Sequence, residues 1–348
     1  MRAAALALTL SLLVCAIGSE VVLRYTCTVC TWGEHNGGSY VSPYQTPPNN
    51  SWYHLRAPNT VSSYGEPEFD YELRTNSLGI RDVEHSVDKS PGEFRILGLG
   101  DSFTEGQGAP YESSYLKVLE RDLNSKQKRV NVRVIVGGVA GSDPFYCYRL
   151  LEDKLLKYKP DIVTLTINQS DVMDVIARGG NERFLNDGTV KFAEPPADEW
   201  LFARSHLYRV FLMVVLGHDW FGLSPSEHVA KRAEAVEKLN GIVDEFQRLG
   251  AQKNFRLVVI LHPDMFELTS ARYSFDAEAL KQHFAENSIS YVDLLGYFLK
   301  RVPDRESQEK LYWKEDFHNN EAGYRIFAEG VEEYLLANDF IEPTSAAR

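Results

Sequence analysis

The sequence is short of sulfur and short of positive charge. Its 348 residues include four cysteines and four methionines, and 49 acidic side chains outnumber 37 basic ones. A net charge of -12 argues against a nucleic-acid binder, which needs clustered Lys and Arg to displace phosphate counterions. Only Cys27 and Cys30 stand close together, as a C-x-x-C with no second pair or histidine cluster beside it, so a zinc framework is not expected. No internal repeat and no long low-complexity tract is present. What remains is the composition of an ordinary globular chain with room for one large α/β domain plus decoration, or two small ones.

One uncharged run stands out, Ala3 to Ser19 behind a single Arg2, at the short end of the membrane-spanning range. Within it "AIG", Ala16 to Gly18, has the small-x-small character of a signal-peptidase site. Residues 1–24 therefore read as either a retained membrane anchor or a cleaved signal, and both readings place the rest of the chain across a membrane. Cys15 follows Val14, a poor lipoprotein box. In an oxidising compartment Cys27 and Cys30 fit a local disulfide, and Cys147 reads as a buried small apolar residue.

Residues 25–92, rich in Pro, Asn, Ser, Tyr and Gly, read as an irregular extension with a turn around Asn76 and Gly79. Short β-branched runs then alternate with amphipathic stretches. Strands are predicted at Phe94–Gly98, Val132–Val136, Ile162–Ile167, Leu257–Leu261 and Ser290–Leu294. Helices are predicted around Leu116–Leu123 and Leu150–Leu155, and over Ser226–Leu249 with Val229 on the buried face and Gly250 as its cap. Asp276 is expected to cap a shorter helix, and a final helix starts near Asn320. This alternation predicts a parallel sheet covered on both faces, in one domain over 93–340. Residues 171–225 interrupt it as an insertion or lid; "LFARSHLYRVFLMVVLG" is too short and too charged to span a membrane and reads as a core helix in preference to a surface-seeking one.

Sites in such sheets form where strands end. The first strand leaves through "GLGDSFTEGQG", which lacks the third glycine of a dinucleotide loop and the Gly-Lys-Ser/Thr of a phosphate loop. Thr104 also breaks the G-x-S-x-G elbow. What stands there is Gly-Asp-Ser, able to present the Ser102 hydroxyl. A nucleophilic serine needs a base and the base an orienting carboxylate. "EDFHNNEAGY" supplies both, Asp316 and His318, two residues apart ahead of a helix; Glu315 is the less favoured orienter.

With "LGDSFTEG" at one end, "DFHNNEAGY" at the other and "VIVGGVAG" after the second strand, the chain resembles the SGNH, or GDSL, hydrolase family over about 230 residues. The resemblance implies a flavodoxin-like three-layer α/β/α sandwich with a five-stranded parallel sheet. It implies ester hydrolysis with Ser102 as nucleophile and oxyanion donor, His318 as base, Asp316 as its orienter and the Gly138 N–H as second donor. Gly141 is read as a packing glycine. The family's third-block Asn is replaced by Ser170, with Asn168 two residues earlier; either is a candidate third donor, and losing one such donor costs about 10²–10³ in rate. His262, at the exit of the fourth strand, is a substrate contact or a turn residue. Arg81 and Asp82 resemble a lead-in found in membrane-anchored members, with no chemistry assigned. No metal or cofactor is required, no nucleic acid is expected, and the substrate is a small-molecule or carbohydrate ester. An acyltransferase with the same triad, and a catalytically weak carbohydrate-binding or scaffold protein, are the alternatives.

Overall fold

The structure is a computed structural model that describes residues 2–31, 34, 38–47, 51–126 and 130–341. Two compact units emerge, residues 1–51 with 176–234, and residues 52–175 with 235–348.

The larger unit holds two sheets. An antiparallel hairpin, β1 (Val61–Glu66) and β2 (Phe69–Arg74), lies within the extension expected to be irregular. Its Pro, Gly and Ser content hid an alternation that leaves Tyr71 and Leu73 buried. The main sheet contains β3 (Glu93–Gly100), β4 (Asn131–Gly138), β5 (Ile162–Ile167), β6 (Arg256–Leu261) and β7 (Ser290–Asp293). All pairings are parallel, in the order β4-β3-β5-β6-β7. That is the order of a doubly wound sheet whose crevice opens between β3 and β5. The central strand β5, Ile-Val-Thr-Leu-Thr-Ile, is buried at all six positions, as a strand covered on both faces must be.

On one face Ile96, Val134 and Ile260 pack with Leu116, Leu119 and Leu123 of helix Tyr115–Lys126 and Phe327 and Val331 of helix Glu321–Ala337. On the other, Leu97, Leu99 and Leu165 are buried, and Tyr148 meets Phe246 of helix Pro225–Lys253 edge-on at 5.1 Å between centroids. Helix starts are closed by side chains: Asn320 accepts from the amides of Ala322 and Gly323, and Asp276 from that of Ala279. Each such cap is worth about 1 kcal/mol. Helix Pro225–Lys253 departs from the expectation at both ends. Its buried stripe begins at Ala235, leaving Val229 exposed, and it runs through Gly250 to end before Asn254, whose φ is +61°. Gly250 is needed for close approach instead: a Cβ there would lie 2.7 Å from the Phe255 carbonyl oxygen.

The smaller unit begins with helix Arg2–Thr26, of which Ala4–Thr26 has a mean hydropathy of 2.2 and is long and apolar enough to cross a membrane. Near its end Glu20 accepts from the Ser205 hydroxyl and the amides of His206 and Leu207, closing the start of helix His206–Val210. Cys27 and Cys30 form a disulfide. Arg209 is buried and bonds Glu34 Oε2 at 2.6 Å and the Phe202 carbonyl at 2.6 Å. Phe211, Val214 and Val215 of the same stretch are exposed, so it is a core helix only on its Arg209 side. Of the Pro- and Asn-rich part of the extension, residues 48–50 lie outside the described residues.

Candidate active site

The nucleophile turn follows from two glycines and an aspartate. β3 ends at Gly100, and Ser102 opens a one-turn helix, Ser102–Glu105, seated on the ends of β3 and β4. No side chain fits beneath it: a Cβ on Gly138 would lie 2.3 Å from the Glu105 nitrogen, and one on Gly100 2.3 Å from Thr104 Oγ1. Asp101 caps the helix by accepting from the Phe103 amide. The Ser102 amide, at the first helical position, donates to no other described residue.

The imidazole arrives from the other end of the chain. His318 Nε2 lies 2.7 Å from Ser102 Oγ, and His318 Nδ1 lies 2.7 Å from Asp316 Oδ1. Burial raises the Asp316 carboxyl, but the His318 ring outweighs it, helped by Gln107 Nε2, which donates to Asp316 Oδ2 at 3.0 Å; the net direction is down. The carboxylate is thus ionised and fully occupied. Ser102, His318 and Asp316 form one continuous hydrogen-bonded line, half-buried along its length.

The third block is tied to Asp101. Asn168 Nδ2 donates to Asp101 Oδ2 at 2.9 Å, while the single Ser170 hydroxyl proton is shared between Asn168 Oδ1 at 2.7 Å and Asp101 Oδ2 at 3.2 Å. Ser170 has no proton left to offer a ligand, whereas the Asn168 amide has a second one. Burial pushes the Asp101 carboxyl up against these donors, and pushes Asp171 well up.

Gly138 does not face Ser102 through its amide. β4 is the sheet edge, and successive N–H groups along a strand point to opposite sides. The Val139 amide bonds the Gly100 carbonyl on the β3 side, and the Val136 amide bonds Asp82 Oδ2 on the outer side. Gly138 shares Val136's parity, so its amide is directed outward; its contribution is the empty space under the helix. Gly141 follows in an exposed turn with φ +74°.

His262 is neither a turn residue nor a substrate contact. It is fully buried, stacked between Phe103 and Phe327 at 4.7 and 4.6 Å, with Nε2 2.8 Å from Asn319 Oδ1. Burial drives its pKa down to about 3, so the ring is neutral and packs as an aromatic.

Several residues that position the site escaped the sequence reading. Glu68, in the tip of the β1–β2 hairpin, accepts from three consecutive amides of the base loop: Lys314 at 2.9 Å, Glu315 at 2.6 Å and Asp316 at 3.1 Å. Nothing in the sequence links residue 68 to residue 316. Gln107 was visible as the one amide side chain in the serine block. Arg81 is buried beneath the turn and donates to the carbonyls of Gly106 and Ala109 at 2.7 Å each, with its guanidinium 4.1 Å from the Tyr71 ring centre. Glu105 pairs with Arg56 at 2.7 Å and accepts from the Ala140 amide, fastening the loop after β4 to the serine helix. Asp82, which receives the Val136 amide and the Tyr111 hydroxyl, fastens that lead-in to the sheet edge.

The parallel α/β sandwich, with the Ser102 hydroxyl at its switch point, and the family match that follows are those of a serine hydrolase acting on ester bonds. The chain belongs to the GDSL-like Lipase/Acylhydrolase family, whose model it matches over residues 99–326. No curated relative matches it in sequence. Among solved structures it is similar to the acetyl xylan esterase AlAXEase (17% identity, 68% of this chain and 98% of the other, TM-score 0.43). It is also similar to the acetylxylan esterase Axe2 of Geobacillus stearothermophilus (14%, 70% and 94%, 0.44), and to a two-domain esterase active on acetylated mannans (14%, 74% and 52%, 0.43).

Proposed function

We propose that the chain is an extracytoplasmic esterase, held at a membrane by helix Arg2–Thr26, that removes O-acyl groups from a carbohydrate through Ser102, His318 and Asp316. The observation that carries this reading is the line of two 2.7 Å contacts from Ser102 through His318 to Asp316. Ser102 Oγ attacks the ester carbonyl as its proton passes to His318 Nε2. The ester C–O bond breaks, and His318 returns that proton to the departing alcohol oxygen. Water then adds to the acyl carbon, losing a proton to His318; the bond to Ser102 breaks and the serine regains its proton.

Asp316 fixes the imidazole with Nδ1 protonated and stabilises the imidazolium formed in each half. The developing oxyanion is met by the Ser102 amide, free at a helix N-terminus, and by the second proton of the Asn168 amide. Asp101 holds Asn168 in place from behind. The Cys27–Cys30 disulfide fits an oxidising compartment. Acyl transfer would use the same residues with a sugar hydroxyl in place of water.

The test is labelling with a fluorophosphonate probe. Wild type should form a covalent adduct and cleave 4-nitrophenyl acetate, and folded Ser102→Ala should do neither. An adduct that persists in Ser102→Ala would sink the assignment.

A further inference from the structure

Beside the base loop opens a cavity of about 730 Å³, within the size range of small-molecule sites. Phe317, Phe266, Gln169 and Arg272 line it, with Asp264 and Glu267 in its wall. Phe317 stands between Asp316 and His318 with φ +65°, a left-handed conformation that a bulky side chain adopts at a cost of roughly 1–3 kcal/mol. This backbone turn leaves the Phe317 ring 40% exposed, 5.4 Å from that of Phe266, itself 60% exposed. Two solvated rings, Phe317 on the strained loop and Phe266 on helix Met265–Ser270, bury little surface for the fold. Both are positioned to meet a ligand.

The polar groups fall into two sets. The carboxylates of the wall are engaged: Asp264 accepts from the Glu267 amide, and Glu267 from the amides of Asp264 and Ser274 and the Ser274 hydroxyl. The Arg272 guanidinium and the Gln169 amide, by contrast, bond no other described residue. The cavity therefore presents two aromatic faces and unspent hydrogen-bond donors.

We infer that this cavity receives the alcohol half of the ester, and that this half is an uncharged sugar ring seated against Phe266 and Phe317, with its hydroxyls bonded by Gln169 and Arg272. The inference rests on the proposed role of His318. The oxygen that leaves the acyl carbon must come within hydrogen-bond reach of His318 Nε2 to take up its proton. Phe317, next to His318, and Gln169, next to Asn168, both line this cavity, so it borders the base loop and the third block, within reach of an alcohol that leaves toward His318. The chemistry selects a sugar over a glyceride: C–H faces of a pyranose match the rings, and its hydroxyls match the donors. A long alkyl chain would leave the Arg272 and Gln169 donors desolvated without partners. The carboxyl groups of Asp264 and Glu267 in the wall likewise disfavour an acidic sugar.

The test compares three esters on the full chain: O-acetylated manno- or xylo-oligosaccharide, tributyrin and 4-nitrophenyl acetate. In Phe266→Ala, which lies off the base loop, the ratio of kcat/KM for the oligosaccharide to that for 4-nitrophenyl acetate should fall about tenfold, mainly through KM. Arg272→Gln should lower the same ratio about threefold to tenfold. A ratio unchanged in both variants overturns the subsite, and so does a wild type that cleaves tributyrin or the aryl ester but neither oligosaccharide. Loss of the Ser102-dependent adduct itself would instead remove the esterase reading beneath it.

Discussion

The serine turn and the hairpin tip lie at the same site and differ in how they are tied to it. The turn, Asp101 to Gly108, is built by neighbours in sequence: Asp101 caps it, Gly106 closes it with φ +88°, and Gln107 reaches from it to Asp316. The hairpin tip makes no local contribution. Glu68 acts only at a distance, gathering the amides of Lys314, Glu315 and Asp316 into one carboxylate. The first region lies inside the stretch that matches the family, residues 99–326, and the second outside it. The stretch that matches the family thus holds the Ser102–His318–Asp316 contacts, while part of what holds residues 314–316 in register lies outside it.

The largest effect should come from the line of reacting groups. Asp316→Asn keeps the shape of the loop but presents an amide to His318 Nδ1, so kcat should fall about 10⁴-fold in steady-state cleavage of 4-nitrophenyl acetate. A fall of less than about tenfold would mean that Glu315 or another carboxylate orients the ring. Glu68→Gln should be milder, lowering kcat about tenfold with KM within about twofold, because the amides it loses hold the base loop and touch no substrate. Glu68→Asp should recover part of the loss. A change confined to KM would remove Glu68 from the positioning of the base.

The smallest effect concerns stability and acts through His262. Its folded pKa, about 3, lies below the unfolded value of 6.5, so between these limits the unfolded chain binds a proton that the folded chain refuses. Stability therefore falls as pH drops from about 6.5 toward 3. In thermal melts between pH 7 and pH 5, wild type should lose roughly 4 °C more than His262→Leu. Equal losses would mean that His262 is not neutral in the fold.

The five main-sheet strands were legible to within about two residues, because β-branched runs bounded by turns leave a strong local signal. The meeting of Ser102, Asp316 and His318 was legible because each sits in a short block of distinctive composition. Other features depend on relations that no local pattern records. Gly138 looked like an oxyanion donor by position, but the parity of its amide is set by β4 being an edge strand. His262 looked available at a strand exit, yet Phe103 and Phe327 from distant segments enclose it. Val229 matched the apolar period of its helix, whose buried stripe begins only at Ala235. The β1–β2 hairpin was hidden by its turn-forming residues, and with it the clasp on the base loop.

The serine and its base are 216 residues apart in the chain. During synthesis Ser102 is made long before His318, and the carboxylate of Glu68 is made earlier still. A nascent chain can lay down β3 to β6 around an unarmed hydroxyl that has no imidazole to take its proton. On the proposed roles, hydrolysis waits for the late segment 314–318, so a chain cut short before His318 should leave esters intact.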